Sequence, residues 1–99
     1  MPLAMDPAGN EIRALKNLVP WKGKQLLEIG CGEGRLTLRL AAFGPRHIEA
    51  IDTDPKRIRK ARNRLPPKYT GRIIYHLASA KKLKYPAGSF DLVVFSWSL

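Results

Sequence analysis

The residues best suited to chemistry lie in one short stretch, Glu28-Ile29-Gly30-Cys31-Gly32-Glu33-Gly34. An apolar run leads into it and a helical pattern follows. Glycines are needed where a backbone must turn sharply and let a ligand lie against it. The start of the helix beyond adds amide groups without intrahelical partners. Eighteen residues after Gly34, Asp52 ends a second apolar run. A carboxylate there can accept both hydroxyl protons of a ribose, which a neutral side chain does less well.

The spacing of the glycines narrows the ligand. A dinucleotide fingerprint places glycine at its first, third and sixth positions. Here the sixth position is Arg35, and the third glycine falls at the fifth. That argues against a pyrophosphate. Glu28 would repel a pyrophosphate and would suit a ligand carrying an ammonium and a sulfonium. Glu28 has a second reading, in which it only hydrogen-bonds the loop and holds the turn. Asp52 is read as a ribose acceptor rather than a helix cap, because Asp54 is better placed to cap.

These groups need a scaffold, and the pattern supplies one. Four short apolar runs span Gln25 to Ile29, His47 to Ile51, Arg72 to Leu77 and Phe90 to Ser96. Between the first two, Gly34 to Phe43 carries Leu36, Leu38, Leu40 and Ala41 at helical spacing, stopped by Gly44-Pro45. Between the second and third, Pro55 to Leu65 forms a helix capped by Asp54 and stopped by Pro66-Pro67. A further helix is expected from Glu11 to about Val19, capped by Asn10, with residues 1–9 as a mobile leader and 10–99 as one domain. After Leu77 the chain has room for a single helical turn before Pro86 and Gly88. Strands alternating with helices predict an α/β fold with a parallel sheet. The continuous run Leu92-Val93-Val94-Phe95 reads as a central strand covered on both faces. With the sequence ending at Leu99, that strand is expected to leave an open edge, which invites self-association or a partner chain.

Bulk properties set outer limits. The chain has 99 residues, one cysteine and a formal charge of +10. One cysteine excludes a disulfide framework within the chain and a multi-cysteine zinc site. No apolar run approaches the roughly 20 residues of a membrane helix, and no basic region precedes an apolar core at the N-terminus, so a cytoplasmic location without a membrane partner is expected. The charge favours acidic partners, nucleic acid among them. Yet the basic run Lys56, Arg57, Arg59, Lys60, Arg62, Arg64 surrounds a helix stripe of Ile58, Ala61 and Leu65, and is read first as a solvated face.

The stretch from Leu26 to Thr37 resembles motif I of the class I, S-adenosylmethionine-dependent methyltransferases. Ile48-Glu49-Ala50-Ile51-Asp52-Thr53-Asp54 is similar to that family's second strand with its ribose-binding acid, which Asp52 matches. Tyr75 to Val94 is similar to the third and fourth motifs, in the small-molecule branch that includes quinone-biosynthesis methyltransferases. The resemblance covers about residues 11–99. It implies a Rossmann-like sheet of about four strands in order 3-2-1-4, flanked by helices and truncated before the family's remaining strands. It implies S-adenosyl-L-methionine as cofactor, held by Glu28, Gly30, Cys31, Gly32, Gly34, Asp52, Thr53, Ser79, Ala80 and Ser96. Ser79 stands where the family usually has an acid facing the adenine amino group; Ala80 would offer its backbone amide. Ser96-Trp97-Ser98-Leu99 replaces the Asn- or Asp-Pro-Pro-aromatic motif of nucleic-acid amino methyltransferases, which favours a small-molecule acceptor. No catalytic base and no metal ligand set is recognised. The alternatives are a non-catalytic binding module or part of a split enzyme, and an RNA-associated methyltransferase fragment. Cys31 is read as a packing residue, His47 and His76 as structural histidines, and Trp21 and Trp97 as packing residues, with Trp97 able to close over the site.

Overall fold

The computed structural model describes residues 2–5, 16–17, 19–83, 85–86 and 88–96. Among these residues run β1 (Pro2–Met5), β2 (Gln25–Ile29), α1 (Arg35–Ala41), β3 (His47–Asp52), α2 (Pro55–Asn63), β4 (Ile73–Leu77) and β5 (Leu92–Ser96), and Lys16 and Asn17 are helical as well. The strands form one parallel sheet in the order β1-β5-β2-β3-β4. Leaving β1 aside, this is the expected 3-2-1-4 arrangement. The chain moves outward from β2 to β3 and β4, then jumps back to the other side of β2 as β5. The point where that direction reverses, between β2 and β5, is where open α/β sheets leave a crevice at the carboxyl ends of their strands.

Each helix follows from its local sequence. Asp54 caps α2 by accepting the Lys56 amide at 2.9 Å, and Pro55 fills the first turn, where its missing N–H costs nothing. Gly34 stands before α1 with φ of 85°, and α1 runs to Ala41 before Gly44-Pro45. Leu36 and Leu40 of α1 join Ile58 and Ala61 of α2 in one core with Leu26, Ile48, Ala50, Ile73, Tyr75, Leu92 and Val94. Those strand residues alternate along their strands, so both helices cover the same face of the sheet. Burying Ile58 or Leu40 in this layer contributes about 1.5–3 kcal/mol each. Trp21 packs its ring 5.4 Å from Phe43 and is buried, as a packing residue should be. A 3-10 turn at Ala80–Lys82 is the single turn expected after β4.

Two expectations change. Residues 2–5, read as part of a leader, form β1, whose Pro2–Met5 pair with Val93–Ser96 of β5. The edge of β5 expected to be open is therefore occupied by the chain's own N-terminal segment. The physical reason is the one that made an open edge a liability: its unpaired amides and carbonyls are met by any extended segment within reach. Second, β5 is central but is not covered equally on both faces. Leu92 and Val94 are buried on the helix side, whereas Val93 is half-buried and Phe95 is 38% exposed. A continuous apolar run does not distinguish these two burial patterns. The helix expected from Glu11 to about Val19 lies largely outside the described residues, as does Trp97. Among the described residues no helix is long and apolar enough to cross a membrane.

Candidate functional site

Because all the strands are parallel, their carboxyl ends share one rim. There the structure gathers the glycine loop after β2, Asp52 to Asp54 after β3, Ala78 to Ala80 after β4, and Ser96 at the end of β5. Backbone hydrogen bonds sew these ends together. Gly30 and Cys31 both donate to the Ile51 carbonyl at 2.9 Å, and Ala78 donates to the Asp52 carbonyl at 3.0 Å. At the opposite end, Asp91 pins β5 to β2: its carboxylate accepts the Gln25 amide at 2.8 Å and its own amide donates to the Gln25 carbonyl at 2.8 Å.

Asp52 sits at the centre of the rim. One carboxylate oxygen accepts the Gly32 amide at 2.8 Å and the other accepts the Asp54 amide at 2.9 Å. Two amides occupy about half of the roughly four lone-pair positions of a carboxylate, which leaves one on each oxygen for a further donor. The residue is 8% exposed, so the carboxylate is held in place while its edge still reaches the surface. Thr53 beside it is exposed.

Glu28 takes the bracing reading rather than the ligand reading in this geometry. It is fully buried; Oε1 accepts the Thr37 hydroxyl and Oε2 the Ser96 hydroxyl, each at 2.5 Å. Burial pushes its pKa above the usual carboxylate value, the Asp52 charge adds to this, and the two hydroxyl bonds act in the opposite direction. Glu28 thus joins β2, α1 and β5 behind the glycine loop. Gly30 is pressed against that junction, since a Cβ there would lie 2.8 Å from the Ser96 carbonyl oxygen.

The raised pKa gives a testable sign. A group that holds its proton more tightly when folded stabilises the fold below its unfolded pKa, and that contribution is lost as pH rises through the folded value. Glu28→Gln stays neutral throughout and keeps an oxygen for one of the two hydroxyls. Its melting temperature is expected to gain on that of the unsubstituted protein as pH rises from about 4.5 to 8. A variant that falls progressively behind over that range in pH-dependent calorimetry would show that the charged carboxylate is required.

The remaining expected residues are placed as follows. Cys31 is 4% exposed and packs in the core cluster, and burial followed by the charges of Glu28 and Asp52 raises its thiol pKa. His47 and His76 both contact Glu49, at 3.0 and 2.6 Å, which fits structural histidines. No group of three metal-ligating side chains is found among the described residues. Ser79 turns its hydroxyl to its own chain, accepting the Lys81 amide at 3.3 Å, and Ala80 is exposed at the start of the turn. Glu33, within the loop, meets Lys60 at 3.7 Å and Arg64 at 3.1 Å, so part of the basic run faces the loop.

Residues 26–99 match the family model described as "Methyltransferase domain". The chain belongs to that family. It is 37% identical over 78 residues to a magnesium-protoporphyrin O-methyltransferase of Rhodobacter capsulatus, covering 78% of this chain and 33% of the relative. It is 40% identical over 72 residues to a ubiquinone biosynthesis O-methyltransferase of Aromatoleum aromaticum, covering 72% of this chain and 30% of the relative. A solved phosphoethanolamine N-methyltransferase of Haemonchus contortus, in complex with phosphoethanolamine and S-adenosylhomocysteine, superposes with a TM-score of 0.76 at 30% identity. That match covers 92% of this chain and 19% of the other. The chain spans about a third of the length of these curated relatives.

Sequence reasoning missed Thr37, Tyr75 and Asp91. Thr37 and Tyr75 read as ordinary members of a helix and a strand. The available signal was a polar side chain at a position whose periodicity demands burial: Thr37 falls beside Leu36 and Leu40 on the inner face of α1.

Proposed function

We propose that this chain is the cofactor-binding part of an S-adenosylmethionine-dependent methyltransferase acting on a small-molecule acceptor. The observation that carries the reading is Asp52, whose carboxylate is fixed by the Gly32 amide of the glycine loop and still has an acceptor position on each oxygen. On this reading Asp52 takes the ribose hydroxyls. The loop from Gly30 to Gly34, with Cys31 as its small filler, lies against the ligand. Thr53, Ser79, Ala80 and Ser96 line the rim, and Glu28 holds the loop from behind. The cofactor supplies an electrophilic methyl group on sulfur. The chain's own residues bind and orient it, and orientation of this kind contributes up to about 7–11 kcal/mol to a two-substrate reaction. With Ser79 in place of an acid, the adenine edge is met by a weaker acceptor and by the Ala80 backbone.

Family membership and the O-methyltransferase relatives support the transfer reaction and a small acceptor. A second reading, an acceptor within RNA, is favoured by one observation. Between residues 56 and 72 there are eight basic residues and no acid, and all but Arg57 are exposed. The discriminating experiment uses the full protein, isotopically labelled S-adenosylmethionine and an acceptor panel of phenols, hydroquinones, carboxylates and RNA. Label in a phenol or hydroquinone is expected. Label in RNA alone, retained at physiological salt, would replace the small-molecule reading.

A further inference from the structure

A row of side chains crosses the sheet beneath the glycine loop. The register places Val94 of β5, Glu28 of β2, Ala50 of β3 and Tyr75 of β4 side by side on the helix-covered face. Ala50 is fully buried and carries only a methyl group, so nothing on β3 stands between Tyr75 and the loop. Thr37 donates to Glu28 and Glu28 accepts Ser96, while the β4 end of the row is the Tyr75 hydroxyl. The same hydroxyl lies under Gly34, where an added Cβ would come within 2.6 Å of it. The row therefore touches the loop at both ends: at Gly34 through Tyr75, and at Gly30 through Ser96.

We infer that Tyr75 and Thr37 are positioning residues for the cofactor loop: the hydrogen-bonded set Thr37–Glu28–Ser96 and the Tyr75 hydroxyl under Gly34 together set the height and pitch of Gly30 to Gly34 and so the affinity for the cofactor. Tyr75 is 4% exposed and Thr37 fully buried, so neither touches ligand; they act through Gly34 and Glu28. The buried row has no slack. Every buried side-chain polar atom among the described residues has a partner, and removing the Thr37 hydroxyl leaves Glu28 short of a bond in a place water does not reach, while removing the Tyr75 hydroxyl takes away the contact beneath Gly34. The alternation of glycines thus has a second reason besides ligand access, because the loop must also fit over a tyrosine from a strand two places away.

The inference rests on the cofactor reading above, and its test separates the two. Tyr75→Phe and Thr37→Val remove one hydroxyl each with little change of shape, and Thr37→Ser restores one. Calorimetry with S-adenosylhomocysteine is combined with amide hydrogen exchange of Gly30, Gly32 and Gly34 in the unliganded proteins. Tyr75→Phe and Thr37→Val are expected to weaken binding about tenfold, equivalent to about 1.4 kcal/mol, and to speed loop exchange. Thr37→Ser is expected to stay within about twofold, less than 0.5 kcal/mol. Unchanged affinity and exchange in Tyr75→Phe and Thr37→Val would overturn the inference, as would a Thr37→Ser variant as impaired as Thr37→Val. If the unsubstituted protein fails to bind S-adenosylhomocysteine, the cofactor reading falls; faster loop exchange in the two hydroxyl-deleted variants would then still support the positioning role, and unchanged exchange would overturn it.

Discussion

Asp52→Ala is expected to abolish binding of S-adenosylhomocysteine, and Asp52→Asn to weaken it at least about thirtyfold, or 2 kcal/mol. The carboxylate does two things that an amide cannot do together. It accepts the Gly32 amide on one oxygen and the Asp54 amide on the other. In the proposed complex it then accepts two ribose hydroxyls as well. Asparagine keeps one oxygen and turns an NH2 group toward a backbone N–H, so one amide loses its acceptor. Hydrogen bonds to charged groups contribute about 1.5–3 kcal/mol each, and a buried donor left alone costs about 1–3 kcal/mol. The asparagine variant is therefore expected to fold with a lowered melting temperature, which makes its affinity interpretable. Affinity equal to that of the unsubstituted protein would remove the ribose assignment.

Gly34→Ala is expected to be strongly destabilising. Its φ of 85° lies in the left-handed region, where an L side chain costs about 1–2 kcal/mol. The new Cβ would also stand 2.6 Å from the Tyr75 hydroxyl oxygen, 3.1 Å from the ring carbon bearing it and 3.3 Å from the Ala61 Cβ. Tyr75 is 4% exposed and packed into the core, which leaves it little room to retreat, so overpacking adds about 1–3 kcal/mol. A total near 3 kcal/mol lowers the melting temperature of a domain this size by about 12–24 °C. Gly71→Ala is the control: φ is 84° there, yet nothing lies within 4 Å, and only the backbone cost should appear. In Gly34→Ala/Tyr75→Phe the hydroxyl contact is gone and part of the loss should return. Thermal unfolding of the three variants checks all of this. Equal losses for Gly34→Ala and Gly71→Ala would show that Tyr75 does not press on the loop.

The strands, the helices and the rim were legible because the signals are local, whereas the strand order came from the resemblance to the methyltransferase motifs. Apolar runs of five to seven residues, Pro55 after Asp54, and Gly44-Pro45 after Leu40 are all read from neighbouring residues. Asp52 and the alternating glycines were legible for the same reason, since a ligand that lies against backbone demands glycine in a fixed pattern. What the sequence hid is non-local. The edge beside β5 reads as open because nothing in Pro2–Met5 alternates or stands out, yet any extended segment can satisfy a strand edge. Leu92 to Phe95 reads as covered on both faces because an apolar run does not say which face meets the helices. The role of Glu28 stayed open between ligand and brace because its partners, Thr37 and Ser96, lie 9 and 68 residues away. Tyr75 was invisible as a loop contact because its reach depends on Ala50 being small on the strand between.

The central claim is that the rim holds the nucleoside end of S-adenosylmethionine. It is tested most directly by isothermal calorimetry of the folded, unsubstituted protein with S-adenosylhomocysteine, with NAD titrated in parallel. Saturable binding of S-adenosylhomocysteine at one site per chain is expected, and no binding of NAD, because Arg35 stands where the dinucleotide fingerprint needs its third glycine. Absence of S-adenosylhomocysteine binding to well-folded protein, or tighter binding of NAD, would contradict it.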